Sequence, residues 1–185
     1  MGKKYPYGKN ILITGATSGL GKAAAYYFAG KGFRVWGVSR RCAEEYRKVG
    51  RGEIRLSSMD VTVESSVKEG IEKICAQAGE IGIVLHCAGY GIGGAAEDTP
   101  IEMVSGEMET NYFGVLRVNQ ALLPHMREQG RGLVLVVSSV AGFFSIPFQS
   151  HYSSTKYALE AYVEALRIES RPFGIRACLI EPGDT

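Results

Sequence analysis

Tyr152 and Lys156 are four residues apart in the segment HYSSTKYALEAYVEALRIE, whose apolar periodicity predicts an amphipathic helix. That spacing places a phenol and an ammonium group on one helical face, one turn apart. A tyrosine is a poor acid or base at neutral pH because its ordinary pKa is about 10, and a fixed cation nearby lowers that pKa. The pair therefore indicates proton-transfer chemistry, although the same spacing occurs by chance in many helices.

A glycine-rich segment near the start of the chain could hold a nucleotide. The apolar run Asn10–Thr14 leads into GATSGLG at positions 15–21, and a helical pattern follows. Gly15 permits a tight turn, Gly19 lets the backbone approach a pyrophosphate, and Gly21 lets helix and strand pack closely. The N–H groups at the start of the helix would face the anion. The segment predicts a dinucleotide site; turn geometry alone is the competing interpretation.

The end of the second predicted strand indicates which dinucleotide is bound. An NAD site usually places a carboxylate there to hold the ribose 2′-hydroxyl, but this chain has Ser39, Arg40 and Arg41. Guanidinium groups suit a 2′-phosphate through charge-assisted hydrogen bonds. We therefore predict NADP(H) over NAD(H), with Arg40 as the main contact and Ser39 or Arg41 in support. The alternative is a solvated basic turn.

These residues need a scaffold in which strands and helices alternate. Strands are predicted at Asn10–Thr14, Phe33–Ser39, Ile54–Met59, Gly82–Cys87, Gly132–Ser138 and Ile175–Glu181, and helices near Gly19–Lys31, Ala43–Gly50, Val63–Ala78, Ile101–Gln129 and His151–Phe173. Runs such as LVLVV and RACLI are apolar throughout, which is typical of strands covered on both faces. Right-handed crossovers then give an α/β fold, a Rossmann-like doubly wound parallel β-sheet with six strands in one domain over residues 1–185.

Composition argues against several other classes of protein. A chain of 185 residues suffices for one domain, and a net charge of +2 does not favour a nucleic-acid partner. The start MGKKYPYGKN lacks the apolar stretch of a signal peptide, and no run approaches the roughly 20 apolar residues of a membrane span. The histidines are well separated, and the cysteines, Cys42, Cys75, Cys87 and Cys178, are scattered. We therefore expect no metal site, reduced thiols and a cytoplasmic location.

Several motifs in register resemble the short-chain dehydrogenase/reductase family, in its branch with the Thr-Gly-x-x-x-Gly-x-Gly loop, over essentially the whole chain. Thr14–Gly21 matches the cofactor loop, Asp60-Val61 the adenine-contacting pair, and Pro182-Gly183 the motif after the sixth strand. The residues at the family's catalytic positions are Asn111, Ser139, Tyr152 and Lys156. The cofactor-binding set that the loop, the basic turn and the resemblance imply is Gly15, Thr17, Ser18, Gly19, Leu20, Gly21, Ser39, Arg40, Arg41, Asp60, Val61, Ala88, Gly89, Tyr152, Lys156, Pro182 and Gly183.

The resemblance implies hydride transfer between NADP(H) and a carbonyl or secondary alcohol. Tyr152 would act as general acid in reduction and general base in oxidation. Lys156 would lower the tyrosine pKa and bind the nicotinamide ribose, and Ser139 would polarise the substrate oxygen. In the family, the asparagine at position 111 supports a water chain from the lysine to solvent. Ser138 competes for the serine role, and the family's spacing to the tyrosine selects Ser139.

The sequence departs from the family's pattern in a few places. His86 and Cys87 stand where the family typically has paired asparagines that brace the central strand, and we expect a packing variation there, because a buried Cys behaves as a small hydrophobe. A catalytic thiol is the less favoured alternative. His151 adjoins Tyr152 and could carry a second proton near pH 7, but it is left outside the catalytic set.

The sequence ends at EPGDT, directly after an apolar strand, where the family continues with a seventh strand and a mobile segment that covers the substrate. We interpret the chain as a fragment of a longer product, because folded proteins normally cover an apolar sheet edge. If the functional protein ends at Thr185, we expect weak cofactor binding and poor turnover, since the covering segment excludes water.

The substrate and the assembly are less closely defined. Val140–Phe148 and Tyr90 border the substrate in the family, and their aromatic content suggests an apolar ketone or alcohol such as a steroid, a retinoid-like compound or a fatty-acyl derivative. Packing under a sheet edge or in a subunit interface explains them equally well. The resemblance implies a homodimer or homotetramer. Alternative functions are a non-catalytic NADP-binding or redox-sensing protein, and a sugar-nucleotide epimerase or dehydratase of the related longer-chain branch.

Overall fold

Continuous apolar runs form the central strands because helices cover both faces of the sheet. In β1 (Asn10–Thr14), Leu12 packs into the core on one face, and Ile11 and Ile13 pack into the core on the other. The structure, a computed structural model, describes residues 5–183. Residues 1–4 and 184–185 lie outside that range, so the expectations about the start of the chain and its end at Thr185 fall partly on undescribed residues.

Outside residues 43–50 the elements alternate as predicted, with α1 on one face of the sheet and α2, α4 and α5 on the other. The helices are α1 (Gly19–Gly30), α2 (Glu64–Ala78), α3 (Ile101–Met108), α4 (Gly114–Glu128) and α5 (Ser150–Ser170); the other strands are β2 (Arg34–Ser39), β3 (Glu45–Val49), β4 (Gly52–Ser58), β5 (Ile83–His86), β6 (Gly132–Val137) and β7 (Ile175–Ile180). The strand order is β3-β4-β2-β1-β5-β6-β7, and each neighbouring pair is parallel except β3 with β4. The predicted Rossmann-like α/β fold is confirmed.

The strand order reverses between β1 and β5, and this reversal positions the candidate site. From β1 the chain adds β2 and β4 on one side, then returns to add β5, β6 and β7 on the other. In such sheets a crevice opens beyond the carboxyl ends of the strands at the reversal, where ligands bind. At the base of this crevice, the Thr14 hydroxyl accepts hydrogen bonds from the backbone N–H groups of Cys87 and Ala88, both at 3.1 Å.

The helix predicted over Ala43–Gly50 is wrong, because most of that segment is strand β3, antiparallel to β4. Its Glu, Arg and Lys content favours helix locally, but a helix of this length is marginal in water without tertiary packing. A two-residue turn at Gly50 and Arg51 returns the chain instead, and Gly50 supplies the left-handed backbone with φ +57°. The described sheet consequently has seven strands, one more than predicted.

The helix predicted over Ile101–Gln129 exists but is interrupted by one π-helical turn, Glu109–Phe113. Just after this turn Gly114 lies against Val61, and a Cβ at Gly114 would come within 2.8 Å of a Val61 methyl carbon. Glycine therefore lets α4 approach the loop after β4. Within residues 5–183, no helix combines the length and apolar content that crossing a membrane requires.

Within residues 5–183, the strand β7 is covered on one face, so the described residues do not cover RACLI on both faces as its apolar run predicts. Ile175 and Ala177 are buried, whereas Arg176, Cys178 and Ile180 are exposed. In the described sheet β7 stands at one end of the strand order, and α5 packs against it from one side.

A buried polar chain connects β5 to α4 and α5. His86 is 3% exposed, and its Nε2 lies 3.0 Å from Oδ1 of Asn119, whose Nδ2 donates to the Tyr162 hydroxyl at 3.1 Å. Burial lowers the pKa of His86 to about 4, and the bond to Asn119 offsets this only in part. His86 is therefore neutral at pH 7 and braces the strand through hydrogen bonds.

We expect the burial of His86 to make the protein sensitive to mild acid. Its pKa is lower in the folded chain than in the unfolded chain, so unfolding takes up a proton between pH 6.5 and about 4. The free energy of unfolding should fall by up to about 3 kcal/mol across this window because of this one group. Urea unfolding of the protein and of H86Q at several pH values measures the difference. The control H125Q should lose as much free energy of unfolding as the unaltered protein. If H86Q loses as much too, the pH dependence does not come from His86.

Candidate active site

The glycine-rich loop after β1 is built for close backbone contact. Gly15 has φ +67°, and a Cβ there would lie 2.9 Å from the Ala88 nitrogen and the Cys87 carbonyl oxygen. A Cβ at Gly21 would lie 2.3 Å from the Gly15 carbonyl oxygen, so the first turn of α1 packs directly on the loop. The loop therefore has the tight turn and the close helix approach that the sequence predicts, and it lies at the strand reversal.

The remaining loop residues surround the start of α1. Ser18 is the residue before the helix, and no side-chain hydrogen bond caps the helix there. Leu20 is half-exposed, and the Thr17 hydroxyl donates to Ser39 Oγ at 3.0 Å, which joins the loop to the end of β2. Because the first N–H groups of a helix lack partners within it, this end of α1 can receive an anion.

Arg40 and Arg41 are both exposed at the end of β2, beside the loop. The Asp60 carboxylate accepts hydrogen bonds from the backbone and hydroxyl of Thr62 at 2.9 and 2.7 Å. Although burial raises the pKa of Asp60, these bonds and the positive charge of Arg40 outweigh that effect and lower it. Arg40 therefore lies near enough to Asp60 to interact with it. The buried Val61 follows, under α4.

Tyr152 and Lys156 lie one turn apart on α5, as their spacing predicts. The Lys156 Nζ is 5.4 Å from the centroid of the Tyr152 ring and donates to the Val137 carbonyl oxygen at 2.9 Å. This bond fastens α5 to the carboxyl end of β6. Gly91, in the loop after β5, lies against Tyr152, because a Cβ at Gly91 would be 3.3 Å from the Tyr152 ring.

The Lys156 ammonium is buried, with 6% of the residue exposed. Burial lowers its pKa from 10.5 to about 8, while Cys87, Glu107 and Glu160 act in the opposite direction. Burial raises the pKa of the Cys87 thiol to about 11, despite the cation. At neutral pH the lysine is therefore charged and the thiol protonated, which argues against the catalytic-thiol alternative.

Asn111 is buried in the π-helical turn and connects three parts of the site. Its Nδ2 donates to the Tyr90 carbonyl at 2.8 Å and to Thr155 Oγ1 at 3.1 Å, and its Oδ1 accepts from the Tyr90 N–H at 3.0 Å. Thr155 in turn donates to the Tyr152 carbonyl at 2.8 Å. A Cβ at Gly89 would lie 3.0 Å from the asparagine Oδ1. Asn111 thus holds the loop after β5 against the tyrosine-bearing turn of α5.

Burial separates the two candidate serines. Ser138 is 2% exposed, whereas Ser139 is partly exposed and its Oγ accepts a hydrogen bond from the Ala141 N–H at 3.2 Å. Pro182 and Gly183 lie beside this turn, since the Pro182 carbonyl accepts from the Val140 N–H at 3.1 Å. Ser139 is therefore the serine that a ligand could reach.

Two residues of this region were not predicted from the sequence. Thr155 links Asn111 to α5, but a threonine on a helix carries no distinguishing signal in one sequence. Glu107 is fully buried beside the site, and an acidic residue one turn before Asn111 on an amphipathic helix was the available clue. Within residues 5–183, no group of three or more His, Cys, Asp or Glu side chains is arranged to hold a metal ion. All four cysteines are free thiols.

Residues 9–185 match the family described as short chain dehydrogenase, and the chain belongs to that family. A 3-ketodihydrosphingosine reductase of Bacteroides thetaiotaomicron is 43% identical over 174 residues, which are 94% of this chain and 63% of that protein. The chain thus spans less than two thirds of that relative's length.

Solved structures share this architecture. An NAD+-bound xylitol dehydrogenase has a TM-score of 0.87 and 26% identity, with 98% of this chain and 72% of that chain covered. An alcohol dehydrogenase from the archaeon Thermococcus sibiricus, complexed with 5-hydroxy-NADP, has a TM-score of 0.85 and 28% identity, with 96% and 77% covered.

We expect the buried Lys156 ammonium to change the pH dependence of stability. Its folded pKa of about 8 lies below the ordinary 10.5, so the unfolded chain holds more protons between these values and stability rises with pH across the window. The free energy of unfolding of the protein minus that of K156M should therefore rise by up to about 3 kcal/mol from pH 8 to 10.5. Urea unfolding measures it. The exposed Lys22 supplies the control K22M, and a flat difference for K156M would refute the expectation.

Proposed function

We propose that this chain carries the cofactor site and the catalytic centre of an NADP(H)-dependent oxidoreductase that interconverts a carbonyl and a secondary alcohol. The observation that carries the proposal is the buried Lys156 ammonium, held by the Val137 carbonyl and lying beside the Tyr152 ring at the crevice. A fixed cation beside a phenol favours the phenolate and suits the tyrosine for proton transfer.

The residues present fit a nicotinamide dinucleotide. The backbone of the loop leaves no room for a Cβ at Gly15 or Gly21, as a close pyrophosphate-binding turn requires. We assign pyrophosphate contacts to the loop and the start of α1, adenine contacts to Asp60 and Val61, and further contacts to the segments at Ala88-Gly89 and Pro182-Gly183. When bound, the nicotinamide supplies or accepts the hydride.

The protein's own residues would manage the proton and the substrate oxygen. In carbonyl reduction, the Tyr152 hydroxyl gives its proton to the oxygen of the new alcohol, and in oxidation it takes that proton back. Ser139 orients and polarises the same oxygen by donating a hydrogen bond. Asn111 keeps Tyr90 and Thr155 in place around the tyrosine through its three hydrogen bonds.

We propose NADP(H) as the cofactor because Arg40 and Arg41 are exposed at the end of β2 beside the loop. A cleft of about 220 Å³ reaches the next residue, Cys42, and its lining includes Thr17, Lys22, Arg47 and Glu45, the carboxylate paired with Arg47. Positive charge on this side suits a 2′-phosphate. The structural neighbours include both an NAD+ complex and a complex with an NADP derivative, so the neighbours themselves favour neither.

The substrate we propose is an apolar ketone or alcohol. The segment after Ser139 exposes Phe143, Phe144 and Phe148 by 60, 67 and 71%, and Tyr90 is 46% exposed. Such a concentration of exposed aromatic surface is typical of a binding surface. The name of the relative from Bacteroides, a 3-ketodihydrosphingosine reductase, is compatible with this class of substrate.

Two further expectations concern the assembled protein. We propose a homodimer or homotetramer assembled through α4 and α5, and on α5 Ile168 is exposed by 72%. We also propose a cytoplasmic location. Both rest chiefly on the family resemblance.

Replacing Tyr152 by phenylalanine tests the catalytic assignment. Y152F should lower the turnover of ketones by about 10²- to 10⁴-fold, because the ring stays and the proton donor is lost. NADPH binding, measured by titration, should change by less than about threefold, since the loop is untouched. Absorbance of NADPH with a panel of apolar ketones gives the rates. The control Y157F alters an exposed tyrosine on the same helix and should keep full activity. Full activity in Y152F, or no turnover of any ketone by the unaltered protein, would overturn the proposal.

Replacing Arg40 by alanine tests the choice of cofactor. R40A should weaken NADPH binding by about 10- to 100-fold, since a hydrogen bond to a charged group contributes about 1.5–3 kcal/mol, and should leave NADH binding nearly unchanged. Calorimetric titration measures both dissociation constants. The exposed Arg51, in the turn between β3 and β4, supplies the control R51A. If the unaltered protein prefers NADH, the NADP(H) assignment is wrong.

A further inference from the structure

Glu107 is an acidic residue in the protein core, next to the candidate site. It lies on α3 and none of its surface is exposed. Its Oε1 accepts a hydrogen bond from the Ile92 N–H at 2.9 Å, so it holds the loop after β5. Its Oε2 is also buried and has no hydrogen-bond partner in the described structure.

A second buried polar atom without a partner belongs to His151. The residue lies in the first turn of α5, directly before Tyr152, and its Nε2 forms no hydrogen bond in the described structure. Burial raises the pKa of Glu107 above its usual range, and the Ile92 N–H and the charges of His151 and Lys156 offset only part of this rise. The carboxyl group therefore interacts electrostatically with both basic residues of α5.

The surroundings of Glu107 provide few other charges. The Tyr90 hydroxyl approaches α3 at Gly106, where a Cβ would lie 3.2 Å from it. Lys156 also interacts with Cys87 at the end of β5 and with Glu160 on α5. Because Cys87 is a protonated thiol at neutral pH, the acidic groups that interact with the lysine there are the carboxyl groups of Glu107 and Glu160.

A hydrogen-bond acceptor for Ile92 does not by itself require a carboxylate, since the neutral amide of glutamine would accept equally well. Burying a charge is unfavourable unless an opposite charge or hydrogen bonds compensate it. The buried cation that interacts with this carboxylate is Lys156, and the imidazole of His151 is the neighbour that can become one.

We propose that Glu107 is a positioning residue of the candidate active site: its fully buried carboxyl group holds the loop after β5 through the Ile92 N–H and supplies negative charge to the basic side chains of α5, Lys156 and His151. The inference deepens the proposed function and rests on it for its catalytic meaning. The proton on Lys156 is the one that favours the Tyr152 phenolate, so Glu107 acts through the lysine and does not contact the substrate.

The variant E107Q separates the charge of Glu107 from its hydrogen bond, because the amide oxygen can still accept from the Ile92 N–H. With lysine labelled at ¹³Cε, NMR titration follows Lys156, whose signal is assigned by its absence in K156R. We expect the pKa of Lys156 to fall by about one unit in E107Q, since an anion is removed near a buried cation. The control E102Q removes an exposed carboxylate from the same helix and should leave this titration unchanged. A Lys156 titration in E107Q that matches the unaltered protein would overturn the proposal.

The variant H151Q provides an independent test if E107Q fails to fold. With glutamate labelled at the side-chain carboxyl carbon, the pKa of Glu107 should rise in H151Q, because an attractive positive charge is lost. An unchanged Glu107 titration would refute the role of His151.

Kinetics then separate this inference from the proposed function. In E107Q, the alkaline limb of the pH–rate profile for ketone reduction should move to lower pH by about the same one unit. A purely structural role would lower the rate equally at every pH, which would contradict the proposal. Failure of the proposed function would appear as the absence of turnover in the unaltered protein, with the NMR shift of Lys156 still present.

Discussion

The burial of one ammonium group constrains the arrangement of the whole candidate site. Lys156 has lost nearly all contact with water, and its hydrogen bond is to the Val137 carbonyl at the end of β6. A buried cation is tolerated only where nearby groups offset the lost hydration. The end of β6, Glu107 on α3 and α5 must therefore keep their relative positions, because each affects the electrostatic environment of the Lys156 ammonium.

A second set of buried polar contacts lies beneath this site and couples the same elements. Asn111 and Asn119 are both buried on the helical segment that includes the π-helical turn and α4. Asn111 bonds the loop after β5 and Thr155 of α5, and Asn119 bonds His86 of β5 and Tyr162 of α5. Two amides thus fix the same helical segment to the same strand region and the same helix. A shift of α5 relative to β5 would break both connections at once.

The fold and the location of the site followed from the sequence because both depend on local patterns. Apolar runs identify parallel strands, and parallel strands bring the residues at their carboxyl ends to one edge, which places Gly15 and Ser39 together. The strand at 45–49 could not be predicted in this way, since its pairing with β4 is a tertiary contact that overrides helix propensity. Glu107 was missed for a related reason: its burial depends on how α3 packs beside α5.

The π-helical turn at 109–113 has a geometric consequence for α4. One residue of an α-helix corresponds to a rotation of about 100°, so a single extra residue in a turn rotates everything that follows by roughly that angle. If the same residues closed into a regular α-helix, the apolar stripe of Val115, Val118 and Leu122 would turn away from the sheet by about this angle. The position of Asn111 in the site and the packing of α4 on the sheet therefore depend on the same turn, so neither can change without the other.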